Sequence, residues 1–125
     1  MHNKSALFQR TIQLIRAIPA GKILTYAGVS KLISAPGCAR HISYILSSSS
    51  RKYALPWHRV INSKGQISLS VGAGHFEQKR LLAKENIKFN AEVIDLDKYA
   101  WRPNKVEVNK ILAGLPLHVP LKARV

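Results

Sequence analysis

Residues Thr25–Ser47 read TYAGVSKLISAPGCARHISYILS, and this stretch decides the predicted fold. Thr25 is the predicted N-cap of a short helix that ends at Ile33, because a threonine hydroxyl can accept a hydrogen bond from the first helical turn. The letters SAPG then predict a turn. A second helix is predicted from about Cys38 to Ser47, with an inner apolar stripe at helical spacing: Ile42, Ile45 and Leu46. Two short helices joined by a tight turn predict a helix-turn-helix.

The opposite face of the second predicted helix is small and polar. It carries Arg40 in the first turn, with Ala39 beside it and Ser43 and Ser47 farther along. Small side chains let a helix approach a ligand closely, and an arginine can contact phosphates or bases. Because short paired helices are also common in ordinary cores, this pattern favours DNA binding only together with the charge of the chain.

The charge of the chain is strongly positive and unevenly distributed. The 125 residues carry a formal net charge of +14, and Met1–Phe76 contain ten Lys and Arg but no Asp or Glu. Such a segment repels itself unless it meets a polyanion, and nucleic acid is the usual partner. An anionic membrane is the rival, but the chain lacks a basic cluster beside an amphipathic helix of the interfacial kind. We therefore expect a nucleic-acid partner and no membrane association.

The missing carboxylates also exclude several kinds of chemistry. Before Glu77 there can be no pair of catalytic carboxylates, no Asp behind a His and no acidic metal ligand. Cys38 is the only cysteine, so an intramolecular disulfide is excluded and a reducing compartment is expected. The N-terminal residues lack the apolar run of a signal peptide, and no stretch reaches transmembrane length. We expect a cytoplasmic protein, nucleoid-associated if bacterial, without a metal or cofactor.

The residues on either side of the helix pair also predict secondary structure. Ser5–Ile18 has apolar residues at helical spacing and predicts an amphipathic helix, with Arg10 and Arg16 facing outward. Ser47–Lys52, which reads SSSSRK, predicts a polar loop.

The C-terminal half predicts small elements and then a tail. Val60–Ile61 and Gln66–Ser68 flank the turn letters NSKG and predict a hairpin. Two further elements are predicted, a helix and a short strand: Phe76–Lys84 and Val93–Ile94. We expect one domain over residues 5–103. Residues 104–125 contain two prolines and little periodicity, which predicts a frayed helix and a mobile C-terminal extension.

Four blocks of the sequence occur in the order found in a known family: GKILTYAGVSKLI (21–33), CAR (38–40), PWHRVI (56–61) and LLAKENI (81–87). Together they resemble the DNA-binding domain of O6-alkylguanine-DNA alkyltransferases, whose motif PCHRV holds the cysteine that accepts the alkyl group. With Trp57 at that position, the chain resembles the alkyltransferase-like proteins, which carry PWHRV and do not transfer the group. The resemblance implies a mainly α fold with a small β-hairpin, a winged-helix or helix-turn-helix DNA-binding domain.

The tryptophan cannot replace the thiol chemically. Alkyl transfer from a guanine oxygen needs a soft nucleophile that loses a proton near neutral pH, and a thiolate qualifies. An indole nitrogen is a donor only, so Trp57 offers a flat apolar face and one N–H instead. We interpret it as a wall of the lesion pocket rather than a core residue. By resemblance, Tyr26 is the family tyrosine that crowds the target phosphate and helps rotate the nucleotide outward.

The resemblance also assigns the second helix of the pair. Arg40 matches the arginine finger, which enters the base stack and fills the hole left by an extruded base. Extrusion costs a few kcal/mol, and a planar guanidinium that replaces the base offsets part of that cost. The alternative is an ordinary phosphate contact. Thr25, Ala39, Ser43 and Ser47 are the other predicted DNA-binding residues, on a helix that enters the minor groove in the family.

The residues after Trp57 have family roles as well. The histidine at the position of His58 in the transferases helps deprotonate the cysteine together with a later glutamate, and the resemblance places that glutamate position at Lys79. On that match the relay is lost at both ends, and His58 is left as a hydrogen-bonding residue of the pocket. Arg59 resembles the family's structural arginine.

Ser68–Gly72 corresponds to the loop that closes over the flipped base. The transferases have a tyrosine and a serine there, whereas this chain has Ser68 and Ser70 among apolar residues. We predict that these two serines border the lesion pocket and that backbone groups of Val60 and the loop read the guanine edge. The family's hinge asparagine is replaced near Ser49.

The resemblance thus predicts a non-enzymatic damage sensor, a monomer that binds duplex DNA and flips O6-alkylguanine without removing the alkyl group. It further implies that the site is flagged for nucleotide excision repair proteins of the UvrA type. Three alternatives stay open: a residual alkyltransferase that uses Cys38, a general helix-turn-helix DNA-binding protein without lesion specificity, and a basic interaction domain without a specific DNA role.

Overall fold

The computed structural model of the protein describes residues 5–69 and 74–115. The helices are α1 (Ala6–Ala17), α2 (Tyr26–Leu32), α3 (Ala39–Tyr53), α4 (His75–Lys84), α5 (Leu96–Tyr99) and α6 (Lys105–Ile111). The strands are β1 (Leu24–Thr25), β2 (Val60–Ile61), β3 (Phe89–Asn90) and β4 (Val93–Ile94), and a 3₁₀ turn covers Trp57–Arg59. None of the helices in these two ranges is long and apolar enough to cross a membrane.

The helix-turn-helix is present as α2 and α3, packed against α1. The Thr25 hydroxyl accepts a hydrogen bond from the N–H of Gly28, which confirms the predicted N-cap. The inner faces of the three helices form one apolar cluster in which Ile15, Val29, Ile33 and Ile42 have no exposed surface. The predicted fold class, mainly α with a small β-hairpin and a helix-turn-helix, is confirmed.

The second helix of the pair is longer than the sequence predicted. α3 continues to Tyr53, so the expectation of a polar loop over Ser47–Lys52 was wrong. Within this helix the serine hydroxyls donate to preceding carbonyls, as Ser50 Oγ does to Leu46 O at 2.6 Å. Ser49, 9% exposed, also extends the inner stripe by one turn.

Arg10 does not face outward as predicted. Its side chain is 5% exposed, and Nε donates a hydrogen bond to the carbonyl oxygen of Ile33 at 2.9 Å. That carbonyl lies at the C-terminal end of α2, where helix carbonyls lack intrahelical partners. Arg10 therefore ties α1 to the turn of the helix-turn-helix.

The strands pair differently from the predicted hairpin. The turn at Asn62–Gly65 forms, since Gly65 N–H donates to Asn62 O at 3.0 Å, but residues 66–68 do not continue as a strand. Instead Val60–Ile61 pairs in parallel with β1. Gly65 has a φ of +75° and packs against β4, so closely that a Cβ would lie 2.6 Å from the carbonyl oxygen of Ile94. The antiparallel hairpin is β3–β4, at the position where the sequence predicted one strand.

The chain packs on the core beyond residue 103. Asn104 and Glu107 form a capping box that starts α6, and α6 packs on α1. Val108 and Leu112 are 7% and 5% exposed and belong to the main apolar cluster. This part of the C-terminal extension is thus packed rather than frayed, whereas residues 116–125 lie outside the described ranges. The division of the chain at residue 103 stays a prediction.

Candidate nucleic-acid interface

A cleft of about 640 Å³ opens between the helix pair and the 3₁₀ turn. Side chains from α2, from the outer flank of α3 and from the segments around the 3₁₀ turn line it: Tyr26, Ser43, Leu46, Ser47, Ser50, Arg51, Ala54, Leu55, Trp57, Leu69 and Gly74. Among the residues that the structure describes, the lining has aromatic and aliphatic walls, several hydroxyls, one cation and no carboxylate. Such a cleft fits a flat, uncharged group that is attached to an anionic backbone.

The two predicted aromatic residues both line this cleft. Tyr26 is the first residue of α2, and Trp57 is the first residue of the 3₁₀ turn. Both are half-buried and pack on the edge of the main core, so each keeps part of its ring available to a ligand. A Cβ at Gly74 would lie 3.8 Å from Trp57 Cη2, which leaves the backbone of Gly74 directly beside the indole.

Trp57 is held in place by an ion-pair network behind it. His58 Nε2 and the carboxylate of Glu85 lie 2.7 Å apart, and Arg59 Nη2 donates to the same carboxylate at 2.7 Å. Glu85 also accepts the N–H of Gly21 at 2.9 Å, and Arg59 Nη1 donates to Ile18 O at 2.8 Å. The network joins the turn that bears Trp57 to the ends of α1 and α4.

Glu85 supplies the negative charge of this network. Partial burial acts to raise the pKa of Glu85, but hydrogen bonds from Arg59, the Gly21 N–H and His58 outweigh it and lower the pKa to about 2. Glu85 is therefore ionised at neutral pH and neutralises Arg59, whose side chain is only 17% exposed.

The match of the relay glutamate to Lys79 was wrong. Lys79 lies elsewhere on α4, where its ammonium group contacts Glu92 at 2.6 Å and the ring of Phe89 at 5.2 Å. The carboxylate that faces His58 is Glu85, in the block LLAKENI. His58 therefore has a carboxylate partner, 2.7 Å away.

Two supporting residues were missed by the sequence analysis. Gln78 is 2% exposed, and its Nε2 donates to the carbonyl oxygens of His58 at 3.1 Å and Val60 at 3.0 Å. Glu85 is the other, and a signal for it existed. Arg59 was predicted to be structural, and the acids available to pair with it begin only after residue 76. A buried glutamine carries no comparable signal in one sequence.

The predicted DNA-binding residues of the helix pair occupy one side of the molecule. Arg40 is exposed in the first turn of α3, and Ala39 is half-buried beside it. Ser43 and Ser47 are exposed and line the cleft. Thr25, by contrast, is half-buried, and its hydroxyl is used to cap α2.

The remaining predicted pocket residues are more scattered. Val60 is fully buried in β2 and Ser68 is exposed, and neither lines the cleft. Ser70 lies outside the described residues. Cys38, the one thiol of the chain, is the half-buried N-cap of α3 and does not line the cleft either. Within residues 5–69 and 74–115, no group of three His, Cys, Asp or Glu side chains could hold a metal ion.

Comparison with known proteins places this arrangement in a family. The family model described as 6-O-methylguanine DNA methyltransferase, DNA binding domain, matches residues 6–87. The chain is 42% identical over 92 residues to a DNA base-flipping protein of Vibrio parahaemolyticus, covering 72% of this chain and 90% of the relative. It is 36% identical over 101 residues to the DNA base-flipping protein of Escherichia coli, covering 81% of this chain and 78% of the relative.

A solved structure has the same fold. The crystal structure of Schizosaccharomyces pombe Atl1 in complex with damaged DNA containing O6-carboxymethylguanine matches with a TM-score of 0.70 and 27% identity. The match covers 82% of this chain and 100% of that chain. The resemblance noted from the sequence is confirmed, and the chain belongs to the family of the 6-O-methylguanine DNA methyltransferase DNA-binding domain.

Proposed function

We propose that this chain is a non-enzymatic sensor of O6-alkylguanine in duplex DNA. The helix pair α2–α3 binds the duplex, the damaged guanine rotates into the cleft between Tyr26 and Trp57, and Arg40 fills the gap in the base stack. The alkyl group stays on the guanine, and the protein stays bound to the lesion. Relatives named DNA base-flipping proteins and the Atl1 complex with damaged DNA support this proposal.

One observation carries the proposal. The cleft of about 640 Å³ is large enough for a purine with a substituent, and the residue of the PWHRV motif that reaches it is an indole. An aromatic wall can pack on a flipped base and on an alkyl group. Because an indole has no usable lone pair, the same wall cannot accept that group.

The surface around the cleft favours a polyanion. Arg51, in the last turn of α3, lines the cleft, and Arg40 is exposed in the first turn of the same helix. No carboxylate is found among the described residues of the lining. Phosphate contacts of this kind supply most of the affinity that does not depend on sequence, and they make binding sensitive to salt. The cleft and its base-sized space would then add the preference for a damaged nucleotide.

The residual-transferase alternative requires Cys38 to reach the lesion. Cys38 caps α3 on the core side of the helix pair and does not line the cleft. Transfer to it would need the lesion to leave the aromatic walls altogether. We therefore assign no catalytic residue.

The step after recognition is also part of the proposal. A lesion that stays bound and unrepaired must be passed to other proteins, and nucleotide excision repair proteins of the UvrA type are the proposed partners. The test is whether the purified UvrA-type protein of the same organism binds the complex of this chain with lesion DNA more tightly than lesion DNA alone. Equal binding would contradict the partnership without affecting recognition.

Lesion recognition is tested by binding to two duplexes that differ only in one O6-methylguanine, at fixed salt. We expect tighter binding to the lesion duplex, and Trp57→Ala should bring the two affinities close together while leaving binding to normal DNA within about twofold. Trp101→Ala is the matched control, because Trp101 is also half-buried but lies outside the cleft. Equal wild-type affinity for both duplexes would leave only a general DNA-binding domain.

A further inference from the structure

Tyr44 is a large aromatic side chain on the outward face of α3 that has no role in the proposed recognition step. Its side chain is 68% exposed, and its ring meets that of His41 edge to face, with centroids 6.5 Å apart. A single exposed aromatic residue is common on protein surfaces. A role for Tyr44 is therefore argued from its position on α3 and not from its exposure.

Tyr44 lies at one edge of the outward face of α3, beside two cations. Successive residues of an α-helix are about 100° apart, so Arg40, Tyr44, Ser47 and Arg51 fall within an arc of about 60°. This arc lies opposite the buried stripe of the helix, which includes Ile42 and Ile45. A polyanion that spans Arg40 and Arg51 would therefore pass beside the phenol ring of Tyr44.

The two flanks of this arc differ. The flank of Ser43, Ser47 and Ser50 lines the cleft, whereas Tyr44 and His41 do not line it and lie on the other flank. A helix that occupies a groove of duplex DNA has one strand on each side. The nucleotide that enters the cleft comes from the strand on the cleft flank, so the other flank faces the complementary strand.

We propose that Tyr44 binds the strand opposite the lesion, packing its ring against deoxyribose and base edges there. The inference rests on the proposed function and adds to it a second contact, on the undamaged strand. A phenol suits this role because its flat face is apolar and its hydroxyl can reach a phosphate oxygen. Since Tyr44 does not contact the flipped base, it raises affinity for damaged and undamaged duplexes by the same factor.

The first test compares Tyr44→Ala with Tyr44→Phe on lesion and normal duplexes. We expect Tyr44→Ala to weaken binding to both duplexes about tenfold, or about 1.4 kcal/mol, with the ratio of the two affinities unchanged. Tyr44→Phe should stay within about threefold of wild type, because stacking and sugar contacts need the ring rather than the hydroxyl. Val106→Ala is the matched control, an exposed apolar residue on α6 that should have no effect.

The second test identifies the strand. Duplexes that carry a photoreactive 5-iodouracil at successive positions of either strand near the lesion are irradiated with the bound protein. We expect a crosslink to Tyr44 from the complementary strand, absent in Tyr44→Ala. A Tyr44 crosslink only from the damaged strand, or unchanged affinity in Tyr44→Ala with lesion preference intact, would overturn this inference alone. Equal wild-type affinity for the two duplexes would instead overturn the proposed function.

Discussion

Replacement of Glu85 by glutamine should lower the stability of the fold and also reduce the preference for lesion DNA. The Glu85 carboxylate is 14% exposed and holds His58, Arg59 and the Gly21 N–H. Glutamine keeps the size of the side chain but removes the negative charge, which leaves the cation of Arg59 largely buried without a counter-charge. Breaking a buried pair from one side typically costs about 3–5 kcal/mol.

The size of the effect can also be worked from the pKa. A pKa of about 2 for Glu85, against an ordinary value of 4.5, corresponds to about 3 kcal/mol of stability in the ionised state. Because the folded pKa is depressed, this stability is fully present above about pH 4.5 and is lost as the pH falls towards about 2. At neutral pH Glu85→Gln should therefore lower the free energy of unfolding by about 3 kcal/mol and the midpoint of thermal unfolding by about 10 °C.

The assay is urea unfolding of both proteins at pH 7 and at steps down to about pH 3. The difference between wild type and Glu85→Gln should shrink steadily as the pH falls below about 4.5. Glu77→Gln, in the first turn of α4, is the matched control, since Glu77 forms an exposed pair with Arg80 and its replacement should leave the unfolding midpoint nearly unchanged. A difference for Glu85→Gln below about 1 kcal/mol at pH 7, or one that does not change with pH, would refute the reasoning.

Three further changes probe other parts of the account. Gln78→Leu should cost about 1–3 kcal/mol in urea unfolding, because it removes the donor shared by the carbonyl oxygens of His58 and Val60; a neutral result would mean that water replaces the amide. Leu112→Ala should cost about 2–3 kcal/mol, since the side chain is 5% exposed in the main core, and an unchanged midpoint would contradict the packing of α6. Arg40→Ala should weaken binding to the lesion duplex by tenfold or more and to normal DNA less, with Arg40→Lys as the charge-preserving control. Equal losses on both duplexes would reduce Arg40 to a phosphate contact.

The helix pair could be predicted from the sequence because its signals are local. Thr25 caps α2 through a contact three residues away, and the inner stripe of α3 repeats at helical spacing. The same local rules failed where a tertiary contact decided the outcome. Ser47–Lys52 has the composition of a loop but is helical because Ser49 packs inward, and Arg10 is buried because the end of α2 supplies a carbonyl acceptor.

The candidate site shows the same division. Trp57 and Tyr26 could be placed at a pocket from motif and charge, and both line the cleft. The partner of His58 could not be identified by spacing alone, because Glu85 is 27 residues away and reaches it through the packing of α4. The parallel pairing of Val60–Ile61 with Leu24–Thr25 could not be predicted either, since strands of two residues carry almost no periodicity.

The central claim is that this chain holds O6-alkylguanine without accepting its alkyl group. The most direct measurement is to saturate an O6-methylguanine duplex with the protein, recover both components, and determine the bases of the DNA and the mass of the protein. We predict a stable complex in which the methyl group is still on guanine and the mass of the protein is unchanged. Loss of the methyl group from the DNA, with a gain of one methyl on the protein, would contradict the claim and direct attention to Cys38.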